Sequence, residues 1–389
     1  MVLKQHLEFD PAREDEFFSA LPSSPAVFLL RSHDPSAEPY VSKTADLRRR
    51  LKRLLEAPPE TSRKLNLREV ARRLEFNATG SDFEANLLLY RLTRREFPKT
   101  YSRRLRLRFA PLVKLHLQNQ YPRASITRRL GRVEGRNVYY GPFASRATAE
   151  KFVNDSLDFF KMRRCVEDLQ PDPSFPGCIY SEMKMCLAPC FKGCSDEEYA
   201  AEVSRVKAFL DTSGESLVRE ITLQREAASS RLEFEAASAL HARLEKLKPV
   251  IGPLPEIVRR IDQLSGVIVQ RSAEPECVNM FSLSGGAIFD PLKFPIRGPE
   301  HAKSQSMEAR VQEALAGVPV LGPVSSTERM DHLAILKRWY FRGKRAGEIF
   351  FSNENGELPM RRLVRGISRV YRGEKEETFE ANASDQARS

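Results

Sequence analysis

Cys165, then Cys178-Ile179-Tyr180, then Cys186-Leu187-Ala188-Pro189-Cys190-Phe191-Lys192-Gly193-Cys194, is the stretch from which the organisation of the chain is read. Five of the six cysteines fall within these 30 residues, with 12, 7, 3 and 3 residues between successive members. Clustered thiols in a reducing compartment argue for metal ligation over disulfides. Four thiolates suit zinc or an iron–sulfur cluster, and spacing alone does not choose between them. Pro189 and Gly193 help such a loop wrap a site, whereas Cys277 stands alone and reads as packed.

Upstream of the cysteines lies the charge. The 389 residues carry 63 Lys/Arg against 52 Asp/Glu, a net +11. Between Arg91 and Arg136 fourteen Lys/Arg face only two acids, Glu96 and Glu134, so this one stretch carries slightly more than the whole excess. A local field of that kind attracts a polyanion, most often nucleic acid held through its phosphates. Arg104-Leu105-Arg106-Leu107-Arg108-Phe109 alternates strictly and predicts a strand with three arginines on one face. Val113-Lys114-Leu115-His116-Leu117 predicts its partner, and together they propose Arg104, Arg106 and Arg108 as DNA-binding residues.

The length predicts two or three domains, and 41% apolar residues exclude wholesale disorder. No apolar run approaches the ~20 residues of a membrane span, and the charged start MVLKQHLEFDPARED is unlike a signal peptide, so a cytoplasmic protein with no membrane partner is expected. Ala26-Val27-Phe28-Leu29-Leu30 and Tyr40-Val41 read as two short strands joined across His33–Ser36. A basic amphipathic helix follows on Leu47, Leu51, Leu54 and Leu55, and a second runs from Ser81 to Glu96. Beyond Gly141-Pro142-Phe143 a helix runs from Arg146 to Phe160. Helices resume from Ser195 to Leu247, Pro249, Pro253 and Pro255 break the chain, and Gly266 to Pro295 reads as β with a Ser284-Gly285-Gly286 turn. His332 to Phe341 forms a short helix around Trp339.

Tyr140-Gly141-Pro142-Phe143, Arg164-Cys165, the cysteine block and Leu232-Glu233-Phe234-Glu235-Ala236-Ala237 resemble, in order and spacing, the UvrC family of bacterial nucleotide excision repair over residues 20–250. The resemblance implies an iron–sulfur cluster on Cys165, Cys178, Cys186 and Cys190, with zinc as the alternative and Cys194 as an extra thiol. The N-terminal unit resembles a degenerate GIY-YIG nuclease domain. The first signature falls on Ala26-Val27-Phe28, the second on Tyr40-Val41-Ser42-Lys43, and the helix arginine on Arg50. The implied catalytic positions are Tyr40, which helps deliver the nucleophile, Lys43, and Arg50, which stabilises charge on the phosphate, with a glutamate holding Mg²⁺ or Mn²⁺.

Anchored on Pro98, that glutamate's position falls on Leu89. Glu84 lies about 140° away around the helix, and Glu96 sits on nearly the same face but about 10 Å along it. Residues Glu215 to Leu247 resemble the UVR motif, through which family members dock on UvrB, and imply Phe234 and Glu235 as partner-binding residues; Gln224 and His241-Ala242 depart from the motif. The Asp-Gly-Gly triplet of the family's second, RNase H-type nuclease does not occur.

The chain thus reads as an α+β multidomain protein. Residues 1–102 form a small GIY-YIG-like α/β domain, 103–200 carry basic strands and the cysteine cluster, and 201–252 form the UVR-like hairpin. Residues 253–373 form a C-terminal mixed β/α segment lacking the RNase H-type active site, and 374–389 a disordered tail. The expected function is that of a DNA-binding repair accessory, a pseudo-nuclease engaging damaged DNA and UvrB. The alternatives are an active endonuclease making one incision with Mg²⁺ or Mn²⁺, and a UVR-motif adaptor for another partner.

Overall fold

The computed structural model describes residues 3–34, 36–57, 65–131, 136–297, 305–317, 322 and 324–374. It is a mixed α/β structure built on three four-stranded antiparallel sheets. The first contains β1 (Gln5–Glu8), β2 (Ala26–Ser32), β3 (Tyr40–Thr44) and β4 (Ala71–Ala78) in the order β1-β4-β2-β3. The unbroken apolar run of β2 follows from its central place, because both of its faces are covered. Phe28 and Leu30 pack against Phe17 and Phe18 of α1 (Glu14–Ala20) and Leu47, Leu51 and Leu54 of α2 (Leu47–Leu55). Val27 and Leu29 face the other way, onto Ala85, Leu88 and Leu92 of α3 (Asp82–Glu96). Both α2 and α3 begin on side-chain caps: Asp46 accepts from the Arg49 N–H at 2.8 Å and Ser81 from the Glu84 N–H at 3.1 Å.

The expected strand at Arg104–Phe109 does not form. Tyr101–Arg104 is one helical turn, α4, and Arg106 then adopts a left-handed conformation (φ 49°), which no strand accommodates. Alternation predicts a strand only where a neighbouring backbone can complete its ladder. Here Leu105, Leu107 and Phe109 pack one by one against the main core, and the Arg104 guanidinium stacks 3.9 Å from the Phe97 ring centre.

The next strand, β5 (Leu112–Leu115), pairs with β6 (Ala124–Thr127) and β7 (Val138–Gly141), and β8 (Arg259–Arg260) completes the order β6-β5-β7-β8. This sheet therefore takes its last strand from beyond the expected 252/253 division. α5 (Arg146–Leu157) and α6 (Ile179–Glu182) lead through the cysteine loop to α7 (Asp196–Asp211) and to the hairpin of α8 (Glu215–Ser230) and α9 (Phe234–Ile251). Pro249 lies inside α9 and does not break it, being two residues from its end, where few hydrogen bonds remain to lose.

The third sheet has the order β11-β10-β9-β12, from β9 (Gly266–Arg271), β10 (Cys277–Ser284), β11 (Ala287–Pro295) and β12 (Glu348–Phe351). The expected Ser284-Gly285-Gly286 turn links β10 to β11, with φ of 53° and 77° at its glycines. α10 (Met307–Ala316), α11 (Ser326–Tyr340) and α12 (Met360–Arg372) surround it, α11 beginning six residues before the expected His332.

α3 docks on this C-terminal segment. Phe83 is buried between Phe281 and Trp339, each with ring centres 5.1 Å away. A side chain on Gly80 would lie 2.2 Å from the Arg271 carbonyl, so glycine is required at this close approach. The tail beyond Glu374 lies outside the described residues. Among them, no helix is long and apolar enough to cross a membrane.

Candidate nucleic-acid interface

β3 is an edge strand, and its alternation divides the GIY-YIG-like positions between two faces. On the α2 side, the Arg50 guanidinium donates to the Tyr40 hydroxyl at 2.8 Å. On the α3 side, the Lys43 ammonium donates to Asn86 Oδ1 at 2.9 Å and pairs with Asp82. The structure thus brings Tyr40 and Arg50 together and sets Lys43 apart from them, on the bank of the cleft that Leu89 lines. Glu84 is buried, accepting from the Gly80 N–H at 2.8 Å, and Glu96 is held by Arg31 and Arg95. Neither stands at the Leu89 position.

Leu89 lines a cleft of about 830 Å³ between α3, the 104–108 turn and the end of α11. Lys43, Arg104, Arg106 and Arg108 form one bank, and Lys337, Arg338, Arg342, Lys344 and Arg345 the other. Asp82 is the single acid among the lining residues, so nine positive groups surround one carboxylate. Burial alone would raise the pKa of Asp82, but Lys43 and Arg342 outweigh it and hold the carboxyl below its ordinary value. Lys337 is pushed down by burial and by the nearby Arg128 and Arg108, the expected sign of cations crowded without a counter-ion.

The C-terminal bank and Asp82 were not expected from sequence. Asp82 precedes Leu89 by seven residues, two helical turns, and so shares its face. That spacing was a legible signal. The 337–345 bank had none, because 233 residues separate Lys337 from Arg104 and only the docking of α3 on α11 unites them.

The cysteine loop turns on left-handed residues at Gly177, Lys184, Ala188 and Lys192. Burial, then the neighbouring Cys165, Cys190 and Cys178, push the Cys186 thiol up to about 11. Cys165, Cys178 and Cys190 thus act on Cys186, while Cys194 is raised by burial, by Glu198 and Asp196 and by Cys190. Donors surround the sulfurs: the Ala188 N–H lies 3.3 Å from Cys186 Sγ, and the buried Arg163 guanidinium 3.4 Å from Cys165 Sγ. Among the described residues no three His, Cys, Asp or Glu side chains have their ligating atoms drawn together as a metal site. The chemistry of the donors is of the kind that suits a metal-bound thiolate: a backbone N–H beside Cys186 and a guanidinium beside Cys165 stabilise sulfur in its charged form.

The hairpin divides into a base and a tip. Leu217, Ile221 and Leu247 are fully buried in the main core, and Leu240 and Leu244 pack partly against it. Leu232 and Phe234 are 71% and 67% exposed, and Leu223 is exposed too. Glu235 is exposed beside Phe234.

Residues 111–209 match the family model described as the UvrC/Cho excinuclease middle domain. The chain is 26% identical over 331 residues to the UvrABC system protein C of Moorella thermoacetica, covering 84% of this chain and 53% of that protein. Against its counterpart in Stenotrophomonas maltophilia the figures are 26% over 369 residues, 90% and 58%, and in Acetivibrio thermocellus 22% over 339 residues, 86% and 54%. The chain spans about half the length of the curated relatives it matches. No solved structure matches it. The chain is UvrC-like.

Proposed function

We propose, from this UvrC-like chain, a DNA-binding accessory of nucleotide excision repair that holds damaged DNA in the basic cleft without cutting it. One observation carries the reading: nine Lys/Arg surround a cleft in which the metal-carboxylate position of the GIY-YIG pattern is Leu89. Guanidinium groups bind phosphate oxygens in planar, forked geometry, and such contacts position a duplex without reading its sequence. A leucine offers no lone pair to a divalent cation, and Asp82, the carboxylate that lines the cleft, is already paired with Lys43 and Arg342. Mg²⁺ or Mn²⁺ would enter only under the alternative of an active endonuclease.

Cys165, Cys178, Cys186 and Cys190 would hold an iron–sulfur cluster, or zinc in its place, cross-linking a loop that has little apolar core of its own. The exposed tip at Phe234 and Glu235 would dock on a partner hairpin such as that of UvrB. The adaptor reading gives the tip a different partner, makes the cysteine cluster a structural or redox element, and is separated from the accessory reading by the absence of salt-sensitive DNA binding.

The test is fluorescence anisotropy of a lesion-bearing duplex across a salt series, with incision assayed on the same DNA in Mg²⁺ or Mn²⁺. Binding should weaken linearly on a log–log salt plot and no strand should be cut. Replacing Arg104, Arg106 and Arg108 by alanine should lower the slope by about 0.9 for each phosphate no longer neutralised. A metal-dependent cut that disappears with Arg50→Ala would overturn the accessory reading in favour of the endonuclease.

A further inference from the structure

Beside the basic cleft lies a second cavity of about 700 Å³, and the two share Lys43, Asp82, Arg345 and Ala346. It is closed by the N-terminal unit on one side and by β9, β12 and the end of α12 on the other. Gln270 and Thr79 line it and are 0% and 2% exposed. Neither the amide oxygen and nitrogen of Gln270 nor the Thr79 hydroxyl has a hydrogen-bond partner. Gln270 follows buried apolar residues along β9, where an apolar side chain would satisfy the core, so a buried amide unpaired at both ends is unfavourable unless something completes it.

The turn over the amide is built around it. Gly347 has φ +80°, and a side chain there would lie 2.2 Å from Gln270 Nε2. Lys43, Arg271 and Arg345 supply positive charge, but Asp82 and the ends of β12 and α12 bring carboxylates too. This is no simple anion site. It offers phosphate-binding cations at the mouth and one donor–acceptor pair at the closed end.

We propose that this cavity receives one unstacked nucleotide of the strand bound in the adjoining cleft, its phosphate at Lys43 and Arg345 and its base edge on the Gln270 amide. A glutamine amide matches a base presenting an adjacent donor and acceptor, as adenine does. The Arg345–Gly347 turn yields to admit it. The proposal rests on the reading of the cleft as a DNA-binding surface.

The full chain is titrated into a duplex carrying 2-aminopurine at an unpaired position and a distant dye. 2-Aminopurine keeps an adjacent acceptor and donor and brightens when unstacked. Its fluorescence should rise several-fold as the anisotropy of the dye saturates. In Gln270→Met the rise should vanish while the anisotropy and its salt slope persist, and the variant should melt no lower than the parent because two unpaired polar atoms are gone. Saturating anisotropy with unchanged fluorescence, or an undiminished rise in Gln270→Met, overturns the proposal. A flat anisotropy overturns the cleft reading itself. A Gln270-dependent response to the free 2-aminopurine nucleotide, with none from the duplex, would reassign the cavity to a soluble nucleotide and overturn entry of the strand.

Discussion

At the scale of single residues, neighbours decide what a given side chain can do. Cys186 and Cys194 are both intermediate in exposure, yet the charges that act on Cys186 are three other thiols, whereas on Cys194 Glu198 and Asp196 come before the single thiol of Cys190. If the proposed four-thiol site holds iron or zinc, Cys186→Ser should lose that metal and Cys194→Ser should keep it, as metal analysis and visible absorption would show. Equal loss in both would place the fifth thiol in the ligand set. The clustering of these cysteines was legible from spacing alone. Lys43 was less so: its place in the pattern groups it with Tyr40 and Arg50, but an odd offset along β3 sends it to the opposite face.

At the scale of elements, the hairpin separates packing from exposure along its own length. Leu247 is completely buried, so Leu247→Ala should cost about 2–5 kcal/mol of stability. Phe234 is mostly in water, and Phe234→Ala should change stability by less than about 0.5 kcal/mol while weakening any partner that docks on the tip. Denaturant titrations of the full-length variants decide this, and a large loss in Phe234→Ala would mean that the tip is core. The helices of the hairpin were legible because their apolar positions recur at helical spacing along each helix. The Arg104–Phe109 segment misled for the opposite reason: six residues of alternation are short enough for a stacking arginine, a left-handed residue and a nearby core to override.

At the scale of the whole molecule, the decisive feature is the junction of α3 with α11. Asp331 accepts hydrogen bonds from Tyr90 at 3.0 Å and Tyr101 at 2.8 Å, and Arg94 pairs with Glu328 at 2.9 Å. His332 sits between them, its Nδ1 accepting from the Ile288 N–H at 3.1 Å. Burial, reinforced by Arg91, Arg94 and Arg329, lowers its pKa to about 3. An unfolded chain has a histidine pKa near 6.5 and so binds more protons between these values; stability is lost as pH falls from about 6.5 toward 3. Between pH 7 and pH 5 the protein should lose about 2 kcal/mol more than a His332→Gln variant, which does not titrate. Equal losses in thermal melts of the two would show that the histidine charges in the folded state.

Without reaching β1, α1 or β4, the sequence by itself determined the elements β2, β3, α2 and α3 of the α/β unit, the position of the basic stretch and the clustering of the thiols. Each depends on periodicity, spacing or composition within a short window, where the chain's own geometry sets what neighbours what. Only the tertiary structure decided that Lys337 to Arg345 face Arg104 to Arg108 across one cleft, that Asp82 is neutralised there, and that the buried amide of Gln270 lies next to it. These depend on how α3 docks on the C-terminal segment, through Phe83, Trp339 and the Asp331 network, and burial of side chains from distant parts of the chain leaves no period in the sequence.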